Sequence, residues 1–218
     1  MKVELVGLTQ PSVTTDCNSA SELVAWAARV SNPENQNNKE TAPKLLKYLI
    51  KNEHWSPFEM VSIQMSITTT RDISRQIIRH RTFSFQEFSQ RYAEAPDLNY
   101  QREARIQDKK NRQNSLELDK HDKRAIAFKR AQEDIGMYAK KRYTQALDDG
   151  IAKEQARALL PEGLTETTLI MAGTLRSWIH YCQLRMGNGT QKEHRDIAQK
   201  CWDIISQHFP DVDKALEL

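Results

Sequence analysis

Cysteine is scarce in this chain. There are three in 218 residues, Cys17, Cys182 and Cys201. An odd number with no CxxC pair and no metal-type spacing gives no basis for a disulfide framework or a cysteine metal site. A reducing, cytoplasmic setting is the simplest reading. Long apolar runs are missing too. No window approaches the roughly 18 to 20 apolar residues that span a bilayer, so no membrane partner is expected. Met1–Leu5 has no apolar core of signal-peptide length. Nor is there a large excess of one charge: Lys and Arg number 32, Asp and Glu 29, for a net +3. That balance does not by itself argue for nucleic acid. There is no P-loop. Gly187-Asn188-Gly189 begins like a dinucleotide fingerprint but lacks the third glycine and the preceding βαβ frame. There is no HExxH, and none of the six histidines stands three residues after a Glu, so no metal is expected. Serine nucleophile elbows are absent.

What is present reads as an ordinary globular chain, 39% hydrophobic and 28% charged. Without repeats, low-complexity tracts or a dividing linker, residues 1–218 are expected to form one domain. A short strand is expected over Val3–Leu8. Ser19–Glu22 is a capping box opening a helix with Leu23, Ala27 and Val30 on one face. Thr41 can cap the next helix, with Pro43 in its first turn and Leu45, Leu46, Leu49 and Ile50 on its core face. Val61, Ile63, Met65 and Ile67 alternate with polar residues, the clearest strand in the chain. A helix follows with Ile73 and Ile77 inward; Gln76, Arg79 and His80 share the other face at its end. Thr82–Phe88 reads as extended. The charged stretch 95–122 reads as a solvated excursion. A long helix is expected over 123–147, closed by Gly150, then a short one over 151–160. Leu169–Ala172 fits a strand or a buried helical turn. A helix over 174–186, a turn at 187–189 and a final helix from the capping box Thr190–Glu193 to Phe209-Pro210 complete the chain. The sum is α+β: helix-rich around a small, mostly antiparallel sheet.

The chemistry concentrates in Arg79–Arg91. Arg79, His80 and Arg81 stand together, followed by Glu87, Ser89 and Arg91. Guanidinium groups fit phosphate oxygens two at a time, so arginines with a hydroxyl nearby read as an oxyanion site. Ser89 would need an activating base to be a nucleophile; among arginines it more readily donates to phosphate. Further arginines with polar neighbours are Arg157, one helical turn after Glu154, and Arg176 and Arg185 on one later helix. Arg176 and His180 share a face; Arg185 lies about 180° round. Trp178, Cys182, Cys201 and Trp202 read as core.

Arg79-His80-Arg81 followed by seven residues and Ser89 resembles the motif of the flavin-dependent thymidylate synthases. Three more blocks in the same order resemble that family: His54-Trp55-Ser56-Pro57-Phe58-Glu59, Glu154–Arg157 before Leu159-Leu160-Pro161, and Arg176-Ser177 through His180 to Leu184-Arg185. The resemblance implies methylation of dUMP to dTMP, with carbon from 5,10-methylenetetrahydrofolate and electrons from NADPH through FAD, and no cysteine nucleophile. It implies a homotetramer with active sites shared between subunits. Gln76, Ile77, Ile78, Arg79, Glu87, Phe88, Ser89, Gln90, Arg91, Arg157 and Arg185 would hold dUMP, with Arg185 the catalytic residue at the uracil ring. Ser56, Arg79, His80, Arg81, Glu87, Thr174, Leu175, Arg176 and His180 would line the FAD site. Gln86 and Thr174 stand where Asn is found in other members. On the residues alone two other readings stay open: a nucleic-acid-binding module using the central cluster with the Arg102–Arg112 run, and a helical scaffold with no small ligand.

Overall fold

The chain opens with strand β1, Lys2–Leu8, in the computed structural model, which describes residues 1–95, 98 and 100–216. Its apolar residues change phase, Val3 and Leu5 being odd and Leu8 even. One extra residue in the strand reconciles them. Leu5 pairs with Met65 and Gly7 with Gln64, so Val6 is a bulge and stays exposed. Val3, Leu5 and Leu8 thereby all lie opposite the inward residues of the next strand.

Helix α1, Ala20–Ala28, starts where the capping box predicts: the Ser19 hydroxyl accepts from Glu22 N–H. Its buried face is Ala20, Val24 and Ala25 rather than Leu23, Ala27 and Val30. The helix ends before Val30 because Arg29 leaves it, its buried guanidinium donating to the Asn38 carbonyl and the Thr41 hydroxyl. Thr41 is thus taken, and helix α2, Ala42–Lys51, begins without a side-chain cap. Leu46, Leu49 and Ile50 are buried as the spacing predicts.

After a 3-10 turn at Ser56–Met60, β2, Ser62–Thr70, alternates half-buried and buried residues from Ser62 to Thr69 and ends on a buried Thr70. Helix α3, Arg71–Ile77, follows, then the short strand β3, Ser84–Glu87. Arg79 and His80 therefore lie in the turn beyond α3 and not on its last turn. The 95–122 stretch differs from expectation. Pro96, Asp97 and Asn99 lie outside the described residues, but the rest is anchored and holds a two-stranded ribbon, β4, Arg105–Gln107, with β5, Ser115–Glu117. Arg102 donates to Thr70 and Asp72 at 2.7 and 2.6 Å, and Arg105 reaches both Glu193 oxygens at 2.6 and 2.7 Å. Opposite charges within the fold hold what composition alone presents as solvated.

The long helix α4, Lys123–Asp148, is capped by Asp122 and closed at Gly150, where φ is +80°. The expected helix over 151–160 shrinks to α5, Lys153–Ala156, and a 3-10 turn at Arg157–Leu159. Leu169–Ala172 belongs to a strand, β6, Glu166–Thr174, which pairs with all nine residues of β2 on one side and with β3 on the other. The sheet order is β1-β2-β6-β3, antiparallel throughout.

Helices α6, Leu175–Arg185, and α7, Lys192–His208, pack together, and the start of α7 lacks the expected box. Thr190 does not cap it, because Glu193 is turned onto Arg105 and Gln191. A last helix, α8, Pro210–Leu216, follows Phe209 and packs on α2; sequence reasoning ended the chain's helices too early. Pro at its first position with Asp211 and Asp213 in its first turn is a start signal that was there to read. The core gathers Phe58, Ile63, Met65, Ile67, Leu169 and Met171 against Trp178, Tyr181, Ile197 and Phe209. Trp178, Cys182, Cys201 and Trp202 are buried as predicted. No helix among the described residues is long and apolar enough to cross a membrane.

Candidate active site

The chain reverses between α3 and β3 through two backbone hydrogen bonds, His80 N–H to Ile77 O and Phe83 N–H to His80 O, at 3.1 and 3.3 Å. This leaves Arg79 and Arg81 exposed and turns His80 inward. The His80 ring meets Tyr181 edge-on, 4.9 Å between centroids. Its Nε2 lies 2.8 Å from Arg185 Nε, at the C-terminal end of α6. Arg Nε can only donate, so His80 Nε2 accepts and the imidazole carries its proton on Nδ1. Burial, then the positive charges of Arg185 and Arg79, push His80 down to about 4. A neutral histidine thus orients a permanently charged arginine. The two terminal nitrogens of Arg185 make no hydrogen bond among the described residues, and neither do the side chains of Arg79 and Arg81.

Glu87, at the end of β3, is held inside. Its Oε1 accepts from Ser74 and Thr167 at 2.8 and 2.9 Å, and Arg71 lies 3.7 Å away. Phe88 N–H donates to Thr168 O, extending the β3 edge by one residue. The chain then turns, the Ser89 carbonyl accepting from Tyr92 and Ala93 N–H. The Ser89 hydroxyl accepts only from Arg91 N–H, at 3.4 Å; no imidazole or carboxylate is bonded to it, so nothing here activates it as a nucleophile. Gln90 is buried, and its side-chain nitrogen has no partner among the described residues. Arg91 Nε donates to the Glu154 carboxylate and Arg157 Nε to the Glu154 carbonyl, both at 3.2 Å. The structure therefore brings Arg91 and Arg157 together on Glu154, with the Ser89 hydroxyl on the main chain of Arg91.

A second group lies by the start of α6. The Thr174 hydroxyl caps the helix, accepting from Ser177 N–H at 3.3 Å, and the Leu175 N–H donates to Val61 O at 2.8 Å. Leu175 and Ile77 are fully buried; Ile78 is exposed. Arg176 pairs with Glu59 in the exposed Ser56–Met60 turn. The His180 ring stands edge-on to Trp55 at 4.7 Å, and burial, then Arg176, lower its pKa. Arg176 and Arg185 thus serve different surroundings from opposite ends of α6, as the spacing predicts.

Sequence reasoning missed the polar residues behind these. Gln76 is bonded to Gln191 and His194, and His194 to Tyr181. A signal existed: His194, Ile197, Ala198 and Cys201 share one helical face, so His194 is a polar residue aimed at the core. Glu59 and Glu154 lay inside quoted motifs without a role. The thiols of Cys182 and Cys201 are pushed up by burial and stay protonated. Cys17 turns its thiol onto the Thr15 carbonyl.

Other cavities among the described residues lie elsewhere, two of them sizeable. One of about 660 Å³ sits between the β4-β5 ribbon and the start of α7, lined by Arg105, Arg112, Gln191 and Arg195. A groove of about 850 Å³ runs along α4, lined by Ile135, Tyr138, Leu159 and Pro161. Because Arg102 and Arg105 are neutralised by Asp72 and Glu193, the 102–112 run is a poor footprint for a phosphate backbone.

Against known proteins, a family model described as thymidylate synthase complementing protein matches residues 12–211. A probable flavin-dependent thymidylate synthase from Paramecium bursaria Chlorella virus 1 is 48% identical over 100% of this chain and 99% of its own length. A flavin-dependent thymidylate synthase from Synechocystis is also 48% identical, with both chains covered at 100%. Among solved structures, a UMP/dUMP methylase from Streptomyces cacaoi bound with 5-Br dUMP aligns with a TM-score of 0.81 and 27% identity, over 99% of this chain and 94% of that one.

Proposed function

The chain belongs to the thymidylate synthase complementing protein family, and from that premise we propose that it converts dUMP to dTMP by reductive methylation. FAD is the resident cofactor, 5,10-methylenetetrahydrofolate the carbon donor and NADPH the reductant. Residues 1–218 act as one catalytic domain.

The observation that carries this reading is the contact between His80 and Arg185. Neutral His80 holds Arg185 by Nε alone and leaves its two terminal nitrogens pointing away from that bond. A planar pair of donors can reach the O4 carbonyl of a pyrimidine, and N3 once that nitrogen has lost its proton. The fixed positive charge stabilises the negative charge that develops on the ring when hydride reaches C6. No cysteine is needed for this, and the protonated, buried Cys182 and Cys201 are unsuited to attack.

Ser89, Arg91 and Arg157 bind the dUMP phosphate, with the main chain of Phe88 and Gln90 alongside and Gln76 at the base or sugar. The Arg91–Glu154 pair is half-exposed on both sides. Such pairs contribute roughly 0–1 kcal/mol, so it opens readily for a dianionic phosphate. Arg79 and Arg81, exposed and without ion pairs among the described residues, suit the pyrophosphate of FAD. Ser56, Arg176 and His180 complete that site, and the exposed Arg176–Glu59 pair exchanges just as cheaply. Thr174 is committed to capping α6, so its contribution is to hold Arg176 in place. FAD bound there and reduced by NADPH would supply the hydride.

The exposed apolar residues of α4, Ile135, Met137 and Tyr138, support assembly with further copies into a homotetramer.

The test is direct. Purified protein takes up FAD and turns yellow, NADPH bleaches it faster when dUMP is present, and the FAD-loaded protein forms dTMP only with dUMP, NADPH and 5,10-methylenetetrahydrofolate all added. A colourless protein that neither takes up FAD nor binds dUMP overturns the reading.

A further inference from the structure

We infer that His194 is a positioning residue that fixes which end of the Gln76 side-chain amide faces the nucleotide site, through a one-way chain of hydrogen bonds that starts at Glu193. The role of Gln76 at dUMP rests on the function proposed above; the chain of bonds does not.

The direction follows from donor and acceptor chemistry alone. The Glu193 carboxylate accepts from Arg105 at 2.6 and 2.7 Å and from Gln191 Nε2 at 2.9 Å. An ionised carboxylate only accepts, so Gln191 must present its nitrogen to Glu193 and its oxygen elsewhere. That oxygen accepts from Gln76 Nε2 at 2.8 Å. Gln76 must then turn its own oxygen the other way, where it meets His194 Nδ1 at 3.4 Å. Nδ1 is therefore the protonated nitrogen, and Nε2 is left to accept the Tyr181 hydroxyl at 3.0 Å. Reversing any one amide would set two donors or two acceptors against each other.

The surroundings lock this arrangement. His194 is fully buried and Tyr181 nearly so. Burial keeps the Tyr181 phenol protonated, and burial with the nearby charge of Arg185 keeps His194 neutral. Glu193 is buried as well, and its partner Arg105 comes from β4. The ribbon outside the sheet thereby acts on a residue of α3. Tyr181 closes the chain against the His80 ring. What Gln76 retains for a ligand is one amide N–H and one oxygen lone pair, in a fixed order.

Two substitutions separate the two sides of the imidazole. His194→Asn places an N–H near Nδ1 and keeps the Gln76 contact; His194→Gln reaches toward Tyr181 and drops Gln76. His194→Asn is expected to keep the KM for dUMP within about threefold, and His194→Gln to raise it about tenfold with kcat at saturation little changed, as for one lost buried hydrogen bond. Equal effects from both variants, or an effect on kcat alone, overturn the proposal. Nitrogen-15 NMR of the ligand-free wild type is the second arm, independent of dUMP and of variant folding. It should show His194 as the neutral Nδ1–H tautomer from pH 5 to 8, and an Nε2–H tautomer or an imidazolium overturns the chain of bonds. Wild-type protein with the Nδ1–H tautomer but no affinity for dUMP fails the function reading instead and leaves the positioning chain standing.

Discussion

Arg91 and Glu154, 63 positions apart, meet through one hydrogen bond of 3.2 Å from guanidinium Nε to carboxylate. The same residue 154 takes Arg157 on its main-chain oxygen. The loop after β3 and the short α5 are thus tied at the point where two arginines converge. Both are poorly paired otherwise, which suits a phosphate-binding pair.

Arg91→Ala and Arg157→Ala should therefore change binding far more than stability. Thermal melting should register less than about 1 kcal/mol for each, as for exposed ion pairs. Calorimetry should find dUMP affinity reduced roughly tenfold to a hundredfold by each, the size of a hydrogen bond to a charged group. In the double variant the losses should not add, as expected of two side chains proposed to share one phosphate.

Arg185→Ala separates chemistry from cofactor. Turnover should be lost while bound flavin, read by absorbance, is retained. Arg185 also helps hold the His80 pKa down near 4. Its removal should let that pKa rise toward the ordinary 6.5, as followed by NMR titration. An unmoved His80 would contradict the 2.8 Å contact.

Acid should destabilise the protein well above the carboxylate range. His194 is held near 3 and His80 near 4 in the fold, against 6.5 in an unfolded chain. Between those values the unfolded chain binds protons that the folded one refuses, so stability rises with pH. The contribution is complete above about pH 6.5 and is lost as pH falls toward 3–4. Urea midpoints measured from pH 4 to 7 should climb with pH, and His194→Asn should flatten the climb.

Gly173→Ala should disturb the site from behind the sheet. A Cβ there would lie 2.4 Å from Phe83 Cδ1. Phe83 is packed edge-on against Trp178 and lies beside His80, so it cannot move alone. Overpacking of this kind costs about 1–3 kcal/mol. Denaturant unfolding should show that loss, and the His80 NMR signal should shift with it.

Local signals were legible where local energetics decide. Ser19 caps α1, the alternation of Val61–Ile67 makes β2, and the helix ahead of Gly150 falls within a residue of expectation. Where long-range partners decide, the sequence was silent or misleading. Thr190–Glu193 has the pattern of a cap, yet Arg105 from 88 positions away takes the Glu193 carboxylate. The charges of 95–122 suggest solvent, yet Asp72 and Glu193 draw two of its arginines inward. In the site, the motif arginines could be named in advance. Gln191 and Tyr181 could not, because their importance lies in whom they touch.

Helix α6 carries one further consequence. Arg176 near one end and Arg185 at the other are about 13.5 Å apart along the axis. Trp178, Ile179, Tyr181 and Cys182 between them are fully seated in the core. The helix behaves as a stiff rod with a basic residue near each tip. A ligand that pulls on Arg176 cannot shift that tip without moving the other, so the contact between Arg185 and His80 feels the load. Occupancy at one tip and fit at the other are mechanically geared together.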